Sequence, residues 1–348
     1  MALTFFVSQA SLPSASFSAS LSSRPAFPAS EESSIPLAVE MREVTRKYGE
    51  LQALDRLSLK IHEGEIFGIL GPNGAGKSTA IQILCGLLQP DAGEIRLYGR
   101  LLSSKADAMS IGICPQRLIL WGKMTCFEQL VFLGQMYDRP RPWLEERADF
   151  LLGALQLREK AHALAKTLSG GMQRRLNLLM ALIHDPALLV LDEPEAGLDP
   201  QSRVLVREFL RGWIKQPGKT AILTSHDMDE VERLADRVGI LDRGRLLVVD
   251  TPDALKATIG QGDILQMTFP SASPPRIDQA LFVLGQIFPA LTWDGKTLVL
   301  RHPDLVAHLT AILELLRSHA LFPSDLQLRP NTLEDVFLAL TGRSLRET

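Results

Sequence analysis

Eight residues between a short apolar run and a helical stretch limit most strongly what this chain can fold into. Residues 71–78 read Gly-Pro-Asn-Gly-Ala-Gly-Lys-Ser and match the pattern G-x-x-x-x-G-K-[ST]. The apolar run at 65–70 predicts a strand before them, and residues 78–88 predict a helix after them. Glycines let backbone N–H groups converge on phosphate oxygens, and the helix N-terminus adds partial positive charge. The sequence therefore predicts a nucleotide phosphate loop made of Gly71, Pro72, Asn73, Gly74, Ala75, Gly76, Lys77, Ser78 and Thr79.

Two side chains of this loop are expected to bind the phosphates and the metal ion directly. Lys77 is expected to bridge the β- and γ-phosphates as a point charge, and the Ser78 hydroxyl to complete a Mg²⁺ shell. The alternative is a glycine-rich turn that matches the pattern by chance.

Two carboxylates follow a second apolar run, residues 187–191. Asp192 and Glu193 stand at its carboxyl end, the edge of a parallel sheet where ligands bind. Asp192 is expected to hold Mg²⁺ through water, and Glu193 to orient and deprotonate an attacking water. A strand-end Asp-Glu-Pro turn without function is the alternative.

A Ser-Gly-Gly sequence precedes the predicted helix at 172–183. Ser169 is a natural N-cap, and Gly170 and Gly171 leave the first backbone N–H groups of the helix uncovered. This pattern predicts a second anion site. The same residues could instead only cap a structural helix.

Composition narrows the class of protein. The 348 residues carry a net charge of −3 and no Lys/Arg cluster, which argues against a nucleic-acid partner. No apolar run approaches the length of a membrane-spanning helix. Cysteines 85, 114 and 126 fit neither a disulfide framework nor a paired metal site, which favours a reducing compartment.

Three regions follow one another along the chain. Residues 1–36 are rich in Ser, Ala and Pro and are predicted to form a flexible tail; a targeting segment is the alternative, although it would carry more Arg. Residues 37–258 alternate buried strands (65–70, 110–114, 187–191, 220–224) with helices, which predicts an α/β domain with a parallel sheet, ending in a hairpin at 236–249. Residues 259–348 predict the order βαββαβ of a ferredoxin-like unit and a last helix at 333–340, capped by Thr332 and Asp335.

The ordered motifs of residues 37–256 resemble the nucleotide-binding subunit of an ATP-binding-cassette (ABC) transporter. Besides the phosphate loop (Walker A) and the Walker B strand, they include Cys-Pro-Gln at 114–116, the signature Leu-Ser-Gly-Gly-Met at 168–172, Gly-Leu-Asp-Pro at 197–200 and His226. The chain most resembles subunits of multidrug- and lipid-type exporters whose permease is a separate polypeptide, and its ending at 332–342 is similar to theirs.

This resemblance implies the fold class of a P-loop ABC cassette. Such a cassette has a RecA-like parallel sheet core, an antiparallel β part and a helical subdomain, here joined to a small C-terminal α+β domain. It also implies an ATPase that binds ATP and Mg²⁺ and powers a separate membrane permease, as an exporter at the cytoplasmic face of the membrane.

The resemblance further implies roles for single residues. Two subunits, a homodimer or a paired ABC subunit, would meet head to tail, so that residues 169–171 of one face the γ-phosphate on the other. Glu193 would be the base, His226 would contact the γ-phosphate, and Tyr48 would stack on adenine. Gln116 would sense Mg²⁺ and water, sharing the metal with Ser78 and Asp192, and Asp199 would contact the partner across the dimer. The alternatives are that Tyr48 is a core aromatic, that His226 is a helix-capping or exposed histidine, and that Asp199 is a simple helix cap.

One departure from the family pattern and two rival functions complete these expectations. Glu195 and Ala196 stand where the family has a small hydroxylic residue, which predicts an added charge near the dimer seam. The rivals are a non-transport ABC ATPase of translation or DNA repair and a small-molecule kinase. ATPases of translation or DNA repair usually carry a second cassette, a zinc module or a long coiled coil, and this sequence shows none of them. A kinase would share the phosphate loop but has no reason to carry Leu-Ser-Gly-Gly. The sequence does not identify the cargo.

Overall fold

The fold is known from a computed structural model, which describes residues 35–103, 110–225, 227–259, 262–270 and 274–342. Almost all of the predicted N-terminal tail lies outside these residues. The described residues from Ile35 onward belong to one compact unit.

An antiparallel sheet of four strands opens the fold. Its strands are β1 (Leu37–Tyr48), β2 (Leu51–His62), β4 (Ala92–Leu97) and β5 (Arg100–Leu101), in the order β2-β1-β4-β5. The resemblance implied this sheet, whereas the residue patterns by themselves had not predicted its strands.

The second sheet has six strands and carries the site. It consists of β3 (Ile66–Leu70), β6 (Ile111–Cys114), β7 (Leu188–Asp192), β8 (Thr220–Thr224), β9 (Arg237–Asp242) and β10 (Arg245–Asp250). The order is β10-β9-β3-β8-β7-β6, and all neighbours are parallel except the hairpin β9–β10. The four predicted strands and the hairpin are confirmed, and the carboxyl ends of β3, β6, β7 and β8 meet at one edge.

Seven helices of the described residues accompany these sheets: α1 (Lys77–Leu84), α2 (Cys126–Gln135), α3 (Arg141–Ala154), α4 (Gly170–Leu182), α5 (Pro200–Ile214), α6 (Met228–Leu234) and α7 (Pro252–Thr258). Helices α2 and α3 lie between β6 and β7 in sequence, with 3₁₀ turns at Arg158–Lys160 and Ala165–Thr167, and pack against α4. The predicted helix at 78–88 ends early, at Leu84, because Gly86 adopts a left-handed φ of 67° and Leu87 N–H closes the end on the Gln82 carbonyl.

The C-terminal region has its own sheet and core. Its elements are β11 (Asp263–Thr268), α8 (Pro274–Ile287), β12 (Thr292–Trp293), β13 (Thr297–His302), α9 (Leu305–Ser318) and β14 (Asp325–Pro330). The antiparallel order β12-β13-β11-β14 puts the fourth strand beside the first, as the predicted ferredoxin-like unit requires.

The last helix, α10 (Leu333–Thr341), packs on the other core. The predicted capping box of Thr332 and Asp335 is confirmed. Leu333, Val336 and Phe337 are buried in the cluster that includes side chains of α6 and α7, and not in the cluster of the ferredoxin-like unit. The domain boundary at 258/259 stays a prediction. Although α10 follows the ferredoxin-like unit in sequence, it packs on the core that contains α6 and α7.

A buried ion pair occupies the position where the sequence departs from the family pattern. Glu195 is only 3% exposed, and Arg207 donates to both of its carboxylate oxygens, over 3.1 and 2.9 Å. Within this protomer the carboxylate of Glu195 is therefore neutralised by a second side chain, and its expected effect near the dimer seam stays a prediction.

A second buried carboxylate, Glu230, lies beside this pair. It accepts a hydrogen bond from the backbone N–H of Glu195 at 3.1 Å and another from the Ser225 hydroxyl at 2.5 Å. The pKa of Glu230 is raised to about 7, chiefly by burial and also by the charge of Glu195, while the two hydrogen bonds oppose the rise.

The raised pKa predicts a pH-dependent stability. Because the folded pKa of Glu230 lies above the ordinary value of 4.5, the folded chain binds more protons than the unfolded chain between these values. The stabilisation is complete below pH 4.5 and is lost as the pH rises through about 7.

Glu230→Gln, which stays neutral, should therefore flatten the fall of the unfolding free energy between pH 5 and 8, by up to about 1.4 kcal/mol per pH unit. Urea unfolding at four pH values measures this slope, with Asp229→Asn on the exposed face of α6 as control; equal slopes in Glu230→Gln and wild type would contradict the account.

Candidate active site

The phosphate loop joins the end of β3 to α1 and is fixed by its neighbours on both sides. Gly76 has a φ of 105°, and a Cβ there would lie 2.5 Å from the carbonyl oxygen of Ala53. A Cβ on Gly71 would collide with the Leu241 carbonyl. Gly244 donates its N–H to the Ala75 carbonyl at 2.8 Å, so the β9–β10 turn braces the loop. Only glycine fits at positions 71 and 76, which explains their places in the motif.

Lys77 folds across the loop at the N-terminus of α1. Its ammonium donates to the carbonyl oxygens of Gly71 at 2.6 Å and Pro72 at 3.0 Å. Burial lowers the pKa of Lys77, and the carboxylates of Glu193 and Asp192 partly offset that shift. Lys77 is thus held close to both predicted carboxylates, while Asn73 and Gly74 are exposed at the mouth of the loop.

The carboxyl ends of β6, β7 and β8 bring three predicted residues and one unpredicted residue together. Gln116 Nε2 donates to Glu193 Oε2 at 2.6 Å. The Thr224 hydroxyl donates to Asp192 Oδ1 at 2.6 Å, and the Glu193 N–H donates to the Thr224 carbonyl at 2.9 Å. Glu193 adopts a left-handed φ of 51°, which turns the chain away from the strand direction directly after β7. Thr224 could have been found from its place at the end of a predicted neighbouring strand.

Arg174 is a second residue that the sequence analysis missed. It lies on α4, is 6% exposed, and donates to backbone carbonyls at the ends of β6 and β7. A charged residue inside a polar stretch of helix gives no sign in the sequence that it is buried against strand ends.

The residues of the predicted second anion site form the N-terminus of α4. Ser169 caps this helix, since its hydroxyl accepts the Met172 N–H at 3.3 Å. No heavy atom lies within 4 Å of where a Cβ on Gly170 would stand, and Ser169 and Gly170 are exposed. Gly171 lies beside Asp199, whose Oδ2 would be 3.5 Å from an added Cβ. The helix therefore begins at an exposed position with open space beside Gly170.

The remaining predicted residues are dispersed. Asp199 caps α5, accepting the Ser202 N–H at 3.0 Å and its hydroxyl at 2.7 Å, and these bonds lower the pKa of Asp199. Tyr48 ends β1 with 45% of its surface exposed and the Arg46 guanidinium 5.2 Å from its ring centroid. It is not a core aromatic. His226 lies outside the described residues.

Two features are absent from the part of the chain that the structure describes. No helix there combines the length and the apolar character needed to cross a membrane. No group of three or more His, Cys, Asp or Glu side chains within the described ranges is arranged to hold a metal ion.

Comparison with known proteins identifies the family. Residues 54–196 match the family model described as ABC transporter. The chain is 35% identical to the linearmycin resistance ATP-binding protein LnrL of Bacillus subtilis (strain 168), over 89% of this chain and 100% of the relative. It is 38% identical to the Nod factor export ATP-binding protein I of Sinorhizobium fredii (strain NBRC 101917 / NGR234), over 89% of this chain and 88% of the relative.

Solved structures agree with this fold. A dimeric ATP-binding cassette in a post-hydrolysis state bound to ADP and Pi is 26% identical, with a TM-score of 0.56, over 61% of this chain and 98% of the other. The ATP-binding subunit of an ABC transporter is 26% identical, with a TM-score of 0.59, over 70% of this chain and 99% of the other. The resemblance seen in the sequence is confirmed: the chain belongs to the ABC transporter family and is an ATP-binding, ATP-hydrolysing subunit of the exporter type.

Proposed function

We propose that this ATPase powers export through a permease made of separate polypeptides, at the cytoplasmic face of the membrane. The observation that carries the proposal is the similarity over 89% of the chain to ATP-binding proteins named for Nod factor export and linearmycin resistance. The aligned length of 316 residues exceeds the predicted cassette at 37–258, so the similarity extends beyond it. A role shared with exporters is therefore favoured over a translation or repair ATPase and over a kinase.

ATP binding is assigned to the phosphate loop and Tyr48. The backbone N–H groups of residues 71–79 would cradle the phosphates, and the positive end of α1 would stabilise their charge. Phosphate oxygens would replace the carbonyls of Gly71 and Pro72 as acceptors for Lys77. The exposed ring of Tyr48 would offer its face to adenine.

The oxygen donors around the loop fit Mg²⁺. Ser78 is exposed next to Lys77, and Asp192 ends β7. Gln116 uses its NH₂ group for Glu193, which leaves its amide oxygen free of that bond. Hydroxyl, carboxylate and amide oxygens are ligands that suit a hard cation, and a nucleotide-bound Mg²⁺ needs few carboxylates. When bound, the ion would neutralise charge on the β- and γ-phosphates.

Glu193 is proposed as the general base. Its carboxylate would accept the proton of a water that attacks the γ-phosphorus in line, while Lys77 stabilises the charge on the phosphate oxygens. The bond from Gln116 would orient Glu193 toward that water. His226 is proposed to contact the γ-phosphate, as the family resemblance implies. Positioning and electrostatic stabilisation would supply most of the rate.

A head-to-tail dimer would complete each site. The first N–H groups of a helix have no acceptor within that helix, so an anion on a second protomer would bind at Ser169, Gly170 and Gly171. Asp199, beside Gly171, would contact the partner as well as cap α5. One of the similar solved structures is itself a dimer of cassettes.

The permease is expected to dock on an apolar patch that follows Gln116. This patch, the docking patch, exposes Ile119 (51%), Trp121 (39%), Phe132 (47%) and Met136 (59%), and the rings of Trp121 and Phe132 pack edge to face at 5.5 Å. Exposed apolar side chains that lie together on one surface are typical of an interaction site. The C-terminal unit at 259–348 is proposed to support the dimer or regulate it.

Removal of the base should separate ATP binding from turnover. We expect Glu193→Gln to bind ATP with wild-type affinity but to lose at least about 100-fold in kcat, because an amide cannot take the proton of the water. Binding of a fluorescent ATP analogue and phosphate release measure the two steps, with Glu145→Gln on the surface of α3 as control. Near-normal hydrolysis by Glu193→Gln would remove Glu193 from this role.

Loss of the docking patch should release the chain from its permease. We expect the wild-type chain to purify from detergent-solubilised membranes with a stoichiometric protein that has membrane-spanning helices, and Trp121→Glu to lose it while hydrolysing ATP alone. Phe282→Glu, which alters an exposed apolar residue of α8, is the matched control. Co-purification with ribosomes or DNA, or phosphorylation of an acceptor, would contradict export.

A further inference from the structure

Arg174 connects three parts of the site through one buried guanidinium. It lies on α4, five residues after Ser169, and is 6% exposed. Its Nη1 donates to the carbonyls of Pro115 (3.2 Å) and Gln116, and its Nη2 donates to those of Asp192 (3.0 Å) and Glu193. One planar fork thus bonds the ends of two neighbouring strands, β6 and β7, to the helix that carries the second anion site.

The bond to the Glu193 carbonyl acts on a strained residue. A left-handed φ of 51° is unfavourable for glutamate and persists only where the surroundings hold it. The Glu193 N–H is held by Thr224, its carbonyl by Arg174, and its carboxylate by Gln116. Arg174 is the one of these three partners that belongs to α4.

Asn177 adds a second bond from the same face of α4 to the same segment. It is 1% exposed and one helical turn beyond Arg174. Its Nδ2 donates to the Pro115 carbonyl at 3.3 Å, and its Oδ1 accepts the Ile119 N–H at 3.2 Å. Helix α4 is therefore attached at two points to residues 115–119, which contain Gln116 and begin the docking patch.

We propose that Arg174 is a positioning residue that couples the two ATP sites of the dimer. In the head-to-tail dimer of the proposed function, on which this inference rests, the N-terminus of α4 binds the ATP of the second protomer. Because Arg174 binds the backbone carbonyls of Gln116 and Glu193, the positions of these two residues depend on the position of α4. ATP held by one protomer thereby aligns the catalytic residues of the other, and the same holds in reverse.

This coupling has a measurable consequence. Two sites that align each other hydrolyse ATP with positive cooperativity. Without Arg174, α4 still binds the second ATP, but its position no longer sets the backbone at Gln116 and Glu193. Turnover and cooperativity fall, whereas the phosphate loop and its affinity for ATP stay intact.

The test uses Arg174→Met in the full chain, because methionine keeps much of the length of the side chain and removes every donor. We expect kcat to fall at least about ten-fold, since small misplacements of catalytic groups are costly, and the Hill coefficient for ATP to fall to about 1, the value of independent sites. The dissociation constant for ATP, measured on the Glu193→Gln background, should stay within about two-fold of its parent, since binding uses other residues. Arg174→Lys keeps the charge but not the planar fork, so its kcat and Hill coefficient should lie between those of wild type and Arg174→Met. If Arg174→Met does not fold, Arg174→Lys serves as the test variant.

Arg175→Met is the matched control. This neighbour on the same helix donates to the Leu155 carbonyl at 2.8 Å, away from the strand ends. Its loss should lower the thermal midpoint but leave kcat and the Hill coefficient near wild type. Equal losses of kcat in both variants, or a loss of ATP affinity in Arg174→Met as large as its loss of kcat, would overturn the proposal.

The outcomes also separate this inference from the proposed function. A wild-type chain that hydrolyses ATP without cooperativity or dimerisation overturns both. A cooperative wild type whose Arg174→Met variant is equally cooperative overturns the coupling alone and leaves the dimer standing.

Discussion

The parallel alignment of β3, β6, β7 and β8 is the constraint on which the rest of the structure depends. It brings four strand ends to one edge, so that the phosphate loop, Gln116, Asp192 and Thr224 meet although they are far apart in sequence. Helices on both sides bury these strands, and the antiparallel sheet braces the loop from β2 through the Ala53 carbonyl. The site is therefore built on rigid elements and needs only short loops.

Two cationic side chains of this site donate hydrogen bonds to backbone carbonyl oxygens. Lys77 is bonded to the carbonyls of the phosphate loop, and Arg174 to those at the ends of β6 and β7. The two cations differ in their surroundings. Lys77 is half-buried at the mouth of the loop and is proposed to exchange its carbonyl partners for phosphate, whereas Arg174 is enclosed and bonded to carbonyls at two strand ends. The carboxylate of Glu195 is also enclosed, and it is paired with Arg207, whose side chain is 21% exposed.

Much of the fold could be predicted from the sequence because its strands are short, apolar and bounded by turn residues. The four buried strands, the β9–β10 hairpin and the βαββαβ unit follow from such patterns. The strands β1 and β2 did not, since their burial is interrupted by irregular pairing, and only the resemblance implied them. Residues that depend on long-range contacts gave no local signal. Arg174 reads as one more polar residue of a helix, and the sequence marks neither the burial of Glu195 nor the core on which α10 packs. The early end of α1 could have been found from Gly86, which supplies the left-handed turn after its last residues.

The central claim is that one triphosphate lies between two sets of backbone amides, from the phosphate loop of one protomer and from residues 169–171 of another. The structure of the Glu193→Gln variant with ATP and Mg²⁺ tests it most directly. The account predicts that Ser169 and Gly171 of a second protomer lie within hydrogen-bond distance of the γ-phosphate. A γ-phosphate that faces only solvent at saturating ATP would contradict it.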